Sequence, residues 1–330
     1  MDAIAMAKVW MFVVVLLGGS SWAYAQTGVG LATSPWDRHQ TFQADGDAWT
    51  VDAKADTLSV TRHRGRVRFE DDLSLGGLGQ MAAGFEYTHL HLTSNQAQVP
   101  ARLSRGEAAV GFPLGDVVLF GKPWKAGGTA GGGWASSDAW FDTHGLFALG
   151  TVFAQRHAWG GLVRVGLTFD GNRSVLPDMP LPVLSYEPGA GEDGENRDAS
   201  KWGLTLGYPT SRVTWRAHDK LVFSAGLDRL DALSADVRYD LTAKVSLVAA
   251  YGGFYDQFHV EDDAEHRRVF FVSQRFEAGA EMNGAWGRIG LSGGYAFGQE
   301  LRRGYGLRST TVIAAFDDGP FVRLAWRVGF

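Results

Sequence analysis

From Ser234 to Leu241 polar and apolar residues alternate: Ser234, Asp236, Arg238 and Asp240 take one parity, Ala235, Val237, Tyr239 and Leu241 the other. A period of two sets these groups on opposite faces of a β-strand, whereas a helix repeats every 3.6 residues. The pattern recurs where Arg164, Gly166, Thr168 and Asp170 oppose Val163, Val165, Leu167 and Phe169, and where Arg212, Thr214 and Arg216 oppose Val213, Trp215 and Ala217. Farther on, Ser273, Arg275, Glu277 and Glu281 oppose Phe270, Val272, Phe276, Ala278 and Ala280. Arg288 and Ser292 face away from Ile289, Leu291, Tyr295 and Phe297. No segment shows comparable helical spacing, so the chain reads as all-β.

Alternation alone does not separate a soluble sandwich from a transmembrane barrel, since both need two-faced strands. The first residues bear on the choice. Lys8 precedes the apolar run Val9 to Leu17, and Ala23-Tyr24-Ala25 has the small-x-small form of a signal-peptidase site. Residues 1–25 therefore read as a cleaved signal peptide, the run being shorter than the roughly 20 apolar residues of a membrane helix. Residues 26–55 are polar and weakly patterned, a periplasmic lead-in, and 56–330 read as the barrel.

Composition agrees. With 44 Gly, 12 Trp and 20 Phe, the chain suits many short strands, tight turns and aromatic girdles. A mean hydropathy of -0.11 is too polar for a bundle of membrane helices. The net charge of -5, with no basic stripe, gives no footprint for nucleic acid. The absence of cysteine excludes disulfides, thiolate nucleophiles and cysteine metal sites.

At the other end Val322, Leu324, Trp326, Val328 and Phe330 share one parity, and Arg323, Ala325, Arg327 and Gly329 the other. This strand is similar to the C-terminal assembly signal of outer-membrane barrels, with lipid on the first face and lumen on the second. The segments fit a closed antiparallel barrel of about twelve spanning strands, fourteen being the next count, at 9 to 11 residues per strand. Counting back from a periplasmic Phe330 places Gly189 to Ser200 outside and Tyr208-Pro209-Thr210 inside. It also places Asp256 to Arg267 on the periplasmic side, where a long connection is unusual.

The stretch that comes nearest to hydrolase chemistry is His89-Leu90-His91-Leu92-Thr93-Ser94-Asn95. Ser94 stands three from His91 and takes the opposite face of a strand, so base and nucleophile do not meet. The acidic groups Glu70-Asp71-Asp72, Glu192-Asp193, Glu261-Asp262-Asp263 and Asp317-Asp318 lack calcium-loop spacing and read as solvated turns. Gly127 to Gly133 lacks the Lys-Ser or Lys-Thr of a phosphate loop and reads as a flexible loop. No catalytic residue, metal site or cofactor is expected. The candidate pore-lining residues are the charged inward parity: Arg62, Arg64, Arg164, Asp170, Arg212, Arg216, Asp236, Arg238, Asp240, Arg275, Glu277, Glu281, Arg288, Arg323 and Arg327.

The runs Leu181-Pro182-Val183-Leu184-Ser185-Tyr186-Glu187-Pro188, Lys201 to Pro209 and Val213-Thr214-Trp215-Arg216, with Arg275 to Gly279 and Gly293 to Phe297, resemble an uncharacterised family of outer-membrane β-barrel proteins of unknown function. The resemblance spans roughly residues 56 to 330 and rests on strand and turn patterns. It implies a Gram-negative outer membrane, with lipid, lipopolysaccharide and the barrel-assembly machinery as partners, and carries over no functional residues. The family also looks like barrels found beside aromatic-degradation genes, which implies passage of small organic molecules. The expectation is a narrow passive channel for small polar or organic solutes. A closed structural or surface-interaction barrel is the alternative, and an outer-membrane hydrolase the second alternative.

Overall fold

The structure, a computed structural model, describes residues 42–51, 59–71, 81–94, 99–137, 145–173, 176, 179–188, 202–208, 210–228, 232–259, 268–285 and 287–329. The expected signal peptide lies outside the described residues. Seventeen strand segments form one sheet. They are β1 (Phe42–Val51), β2 (Ser59–Asp71), β3 (Met81–Thr93), β4 (Arg102–Leu119), β5 (Lys122–Ser136), β6 (Leu146–Ala158), β7 (Gly161–Asp170), β8 (Leu181–Pro188), β9 (Trp202–Tyr208), β10 (Thr210–His218), β11 (Leu221–Asp228), β12 (Ala232–Asp240), β13 (Val245–His259), β14 (Arg268–Gly284), β15 (Gly287–Gly304), β16 (Thr310–Phe316) and β17 (Gly319–Gly329).

From β1 to β16 each segment pairs antiparallel with the next, and β1 also pairs antiparallel with β17. β16 and β17 lie along the same strand: Gln299 of β15 pairs with Phe316, and Ala296 with Gly319. The break between them, Asp317-Asp318, is tied to a bulge in β15, where the Gly298 amide donates to Asp318 Oδ1 at 2.9 Å and Gln299 Nε2 to the Asp317 carbonyl at 2.8 Å.

The expected count of twelve strands is therefore corrected upward. Two members of the sheet come from stretches without a strand signal. One is β1, in the expected lead-in, where Gln43-Ala44-Asp45-Gly46-Asp47-Ala48 alternates weakly but pairs along its length with β2 and β17. The other is β5, which absorbs the expected flexible loop Gly127 to Gly133. Glycine there serves close approach of strands: a Cβ on Gly131 would lie 2.1 Å from the Ala108 carbonyl oxygen of β4.

The orientation argument changes with the in-line pair β16 and β17. Antiparallel pairing puts the end of β17 level with the two-residue turns that join β4 to β5, β6 to β7, β10 to β11 and β14 to β15. Two of these turns have both residues at positive φ, Phe120 (53°) with Gly121 (69°) and Trp159 (53°) with Gly160 (72°), as tight hairpins require. This tight-turn end also receives the β8 to β9 connection, while Pro209 and the β13 to β14 connection belong to the far end. Relative to the end of β17 the assignment of Gly189 to Ser200 and Tyr208-Pro209-Thr210 is thus reversed: the long connection at that end is the β8 to β9 one, and the β13 to β14 connection lies at the other. Residues 189–201 and 260–267 themselves lie outside the described residues.

The burial pattern is inverted relative to a soluble sheet. Along β17, Val322 and Leu324 are 59% and 51% exposed, while the neighbours Phe321 and Arg323 are 3% exposed. On β14, β15 and β7 the exposed parity likewise carries Phe276, Ile289, Leu291 and Leu167, whereas Glu277, Glu281, Arg275 and Asp170 are buried. Aromatic ladders run over the outer face: Trp202, Trp215 and Phe223 stack across β9, β10 and β11 with centroids 5.5 and 5.3 Å apart. The apolar parity is exposed and the charged parity is buried.

Candidate functional site

The inner face divides into two zones. Toward the tight-turn end, β12, β13, β14, β15 and β17 bring their alternate charged residues together, because register sets Asp240, Ser246, Glu281, Gly290 and Ala325 in one row across the five strands. Arg238 Nε donates to Asp240 Oδ1 at 2.9 Å, and Ser246 Oγ donates to the same oxygen at 2.6 Å. Glu281 forms an ion pair with Arg288 at 3.1 Å and lies 3.6 Å from Arg238. The side chains of Arg238, Arg288 and Asp240 keep 22%, 24% and 34% exposure, so solvent reaches this zone. Deeper along the same wall Glu277 holds Arg323 at 2.8 Å and accepts from Ser292 at 2.9 Å. A small cavity of about 30 Å³ opens between Glu277, Glu281, Ser292 and Arg323, with room for a water or two.

The far zone is packed. Arg105 of β4 pairs with Glu86 at 3.1 Å and with Glu107 at 3.2 Å, all three fully buried, with Asp256 of β13 and Asp170 of β7 in electrostatic reach. Beside this network Leu90, Leu92 and Leu103 from β3 and β4 pack with Phe258, Phe271, Leu301 and Phe316 from β13 to β16. At the tip of the β13–β14 hairpin both parities are buried, Asp256, Gln257 and Phe258 on one strand and Val269, Phe270 and Phe271 on the other. The tip therefore has protein on both sides. It meets the opposite wall through a parallel bridge between His259 and Ser136 of β5. Arg268 fastens it by donating to the carbonyls of Gly171 and Tyr305, each at 3.0 Å, and Asn172 Nδ2 donates to the Gln257 carbonyl at 3.4 Å.

Of the candidate residues, Asp236, Arg238, Asp240, Glu277, Glu281, Arg288, Arg323 and Arg327 gather on this one wall, with Arg212 and Arg216 half-buried on β10. Arg164 stands apart on β7, donating to Gln155 Oε1 at 3.1 Å and lying over the Phe153 ring. Arg275 is fully buried, its guanidinium 3.4 Å from the Phe254 ring centroid, so it fills space at the boundary between the zones. Arg62 and Arg64 occupy β2 opposite Trp49 and Asp47; their side chains lie outside the described residues. Sequence reasoning did not single out Glu86, Arg105, Glu107, Asp256 or Arg268. Glu86 shares its parity with Leu90 and Leu92, so a rule that puts apolar residues outside hides it.

One contact bears on the hydrolase alternative. His89 Nδ1 and Ser104 Oγ are 2.9 Å apart, directly opposite on β3 and β4. Ser104 is only 6% exposed. Among the described residues no group of three or more His, Cys, Asp or Glu is placed to hold a metal ion.

No family model matches the chain, and no curated protein matches it. Among solved structures it is similar to the outer-membrane expressed OmpT of Vibrio cholerae, at 9% identity, with 88% of this chain and 97% of that one covered and a TM-score of 0.30. It is also similar to a triple mutant of the Rhodopseudomonas blastica porin, at 9% identity, 88% and 100% coverage and a TM-score of 0.22.

Proposed function

We propose that the sheet closes through the β1–β17 pairing into a barrel of the Gram-negative outer membrane, forming a narrow passage for small polar solutes with a constriction at its far end. The observation that carries this reading is the inverted burial. In water, an apolar outer face would forfeit about 25 cal/mol for each Å² left exposed, and an interior of arginines and carboxylates would add a desolvation cost. In a bilayer the outer face meets hydrocarbon, and pairing of every strand leaves no open edge. Barrel-assembly machinery and lipopolysaccharide are the partners this location supplies, and the passage needs no enzyme chemistry.

The charged, part-exposed zone at the tight-turn end supports a hydrated vestibule. The apolar cluster around Phe258 and Phe271 supports a hydrophobic constriction of the kind that gates by dewetting. Planar-bilayer recordings test the passage. Purified protein with confirmed insertion gives discrete steps, larger when Arg268→Ala frees the β13–β14 tip. Silence of both proteins would replace the passage with the closed structural barrel. The His89–Ser104 contact favours a second reading, a serine hydrolase, for which the buried hydroxyl is poorly placed. Labelling by a serine-directed fluorophosphonate decides it.

A further inference from the structure

We propose that Arg327, together with Arg288 and Arg238, forms a binding site for a small oxyanion of the phosphate or carboxylate class on the inner wall near the tight-turn end. This rests on the reading of the barrel interior as solvent-accessible and adds the charge class of the solute. Arg288 and Arg327 stand directly opposite on β15 and β17. Like charges in that position repel, and an anion between them relieves the repulsion.

The acids of the wall are already engaged. Glu281 is the carboxylate nearest the group, and Arg288, Arg238, Arg327 and Arg323 all act on it. Its contacts go to Arg288 and Arg238, Asp240 is held by Arg238 and Ser246, and Glu277 by Arg323 and Ser292. Arg327 acts on Glu281 at longer range than Arg288 and Arg238 do. In register, Asp45 of β1 stands opposite Arg327 and Arg66 of β2 opposite Asp45, so the row holds one acid among three arginines.

Space and access fit a solute. Beside the Arg288–Arg327 pair the adjoining row is Gly290 and Ala325, two small residues that line the cavity next to Glu281 and Arg323. Arg238 and Arg288 are each about a quarter exposed. A guanidinium presents paired N–H donors that match two oxygens of a phosphate or carboxylate, which chloride cannot use as well.

Inorganic phosphate is the probe. Phosphorus NMR of the protein folded in detergent gives line broadening that saturates with wild type. Binding weakens about tenfold in Arg327→Gln or Arg288→Gln, the loss of one charge-assisted contact, and is largely kept in Arg327→Lys. No broadening, or equal broadening in wild type and both glutamine variants, overturns the site. Reversal potentials in a potassium chloride gradient separate this from the passage itself. Steps that reverse toward the potassium potential would refute the anion site and leave the passage standing. Phosphate binding without any steps would refute the passage and leave the site standing.

Discussion

Arg288 of β15 and Arg327 of β17 face each other directly across an antiparallel ladder, two guanidiniums where a stabilised sheet would place opposite charges. Cross-strand pairs contribute roughly 0.2 to 1 kcal/mol, and like charges work against the pairing. Arg327→Gln should therefore raise stability slightly in low salt. In urea titrations of the vesicle-folded protein, added phosphate shifts the wild-type midpoint upward and moves the variant less. A variant less stable than wild type in low salt would show that the pair is held by something other than a solute anion.

Glu277 bridges Arg323 and Ser292 in a buried setting. Glu277→Gln leaves the Arg323 charge buried without its counter-ion, a loss of about 3 to 5 kcal/mol. The urea midpoint of the variant falls accordingly. The double variant Glu277→Gln with Arg323→Leu recovers much of the loss, because it removes the orphaned charge.

The β13–β14 tip is held by Arg268 and by the apolar cluster around Phe258 and Phe271. Phe258→Ala with Phe271→Ala should enlarge single-channel conductance while the folded band on unheated gels persists. Unchanged conductance in a folded variant would place the narrowest point elsewhere.

Gly131 abuts the backbone of β4, where a Cβ would meet the Ala108 carbonyl. Gly131→Val should slow or abolish folding into vesicles, measured as loss of the heat-modifiable gel shift, whereas Ala130→Val, at an exposed position on the same strand, should fold.

Fluorophosphonate should leave the protein unlabelled, since Ser104 is buried. Labelling that disappears in Ser104→Ala would make the His89–Ser104 pair catalytic.

Much of the sheet was legible from side-chain parity alone. β12 and β7 read directly from Ser234 to Asp240 and from Val163 to Asp170, because a charged residue beside a branched or aromatic one leaves no doubt about faces. β5 was illegible because glycine has no side chain to show a face, although glycine is what lets β4 approach. β1 was hidden by small and polar residues whose pairing comes from distant neighbours, β2 and β17. The side assignment of the connections changed because Asp317-Asp318 looks like a turn in sequence and is a break within one line of strand, while the strand count was low because β1 and β5 carry no parity signal. The charged wall was legible as a parity, but its division into an accessible and a packed zone was not. That division depends on β13 crossing to Ser136, a contact between residues 123 positions apart.

The central claim is that the apolar parity contacts hydrocarbon, and β17 tests it most directly. The chain has no cysteine, so Val322→Cys, Arg323→Cys, Leu324→Cys, Ala325→Cys and Trp326→Cys each give a unique site for a nitroxide. In lipid vesicles the spin labels at 322, 324 and 326 should be relaxed strongly by oxygen and weakly by a water-soluble nickel complex, with the labels at 323 and 325 shielded from oxygen. Strong relaxation of 322, 324 and 326 by the nickel complex would put that face in water and contradict the barrel.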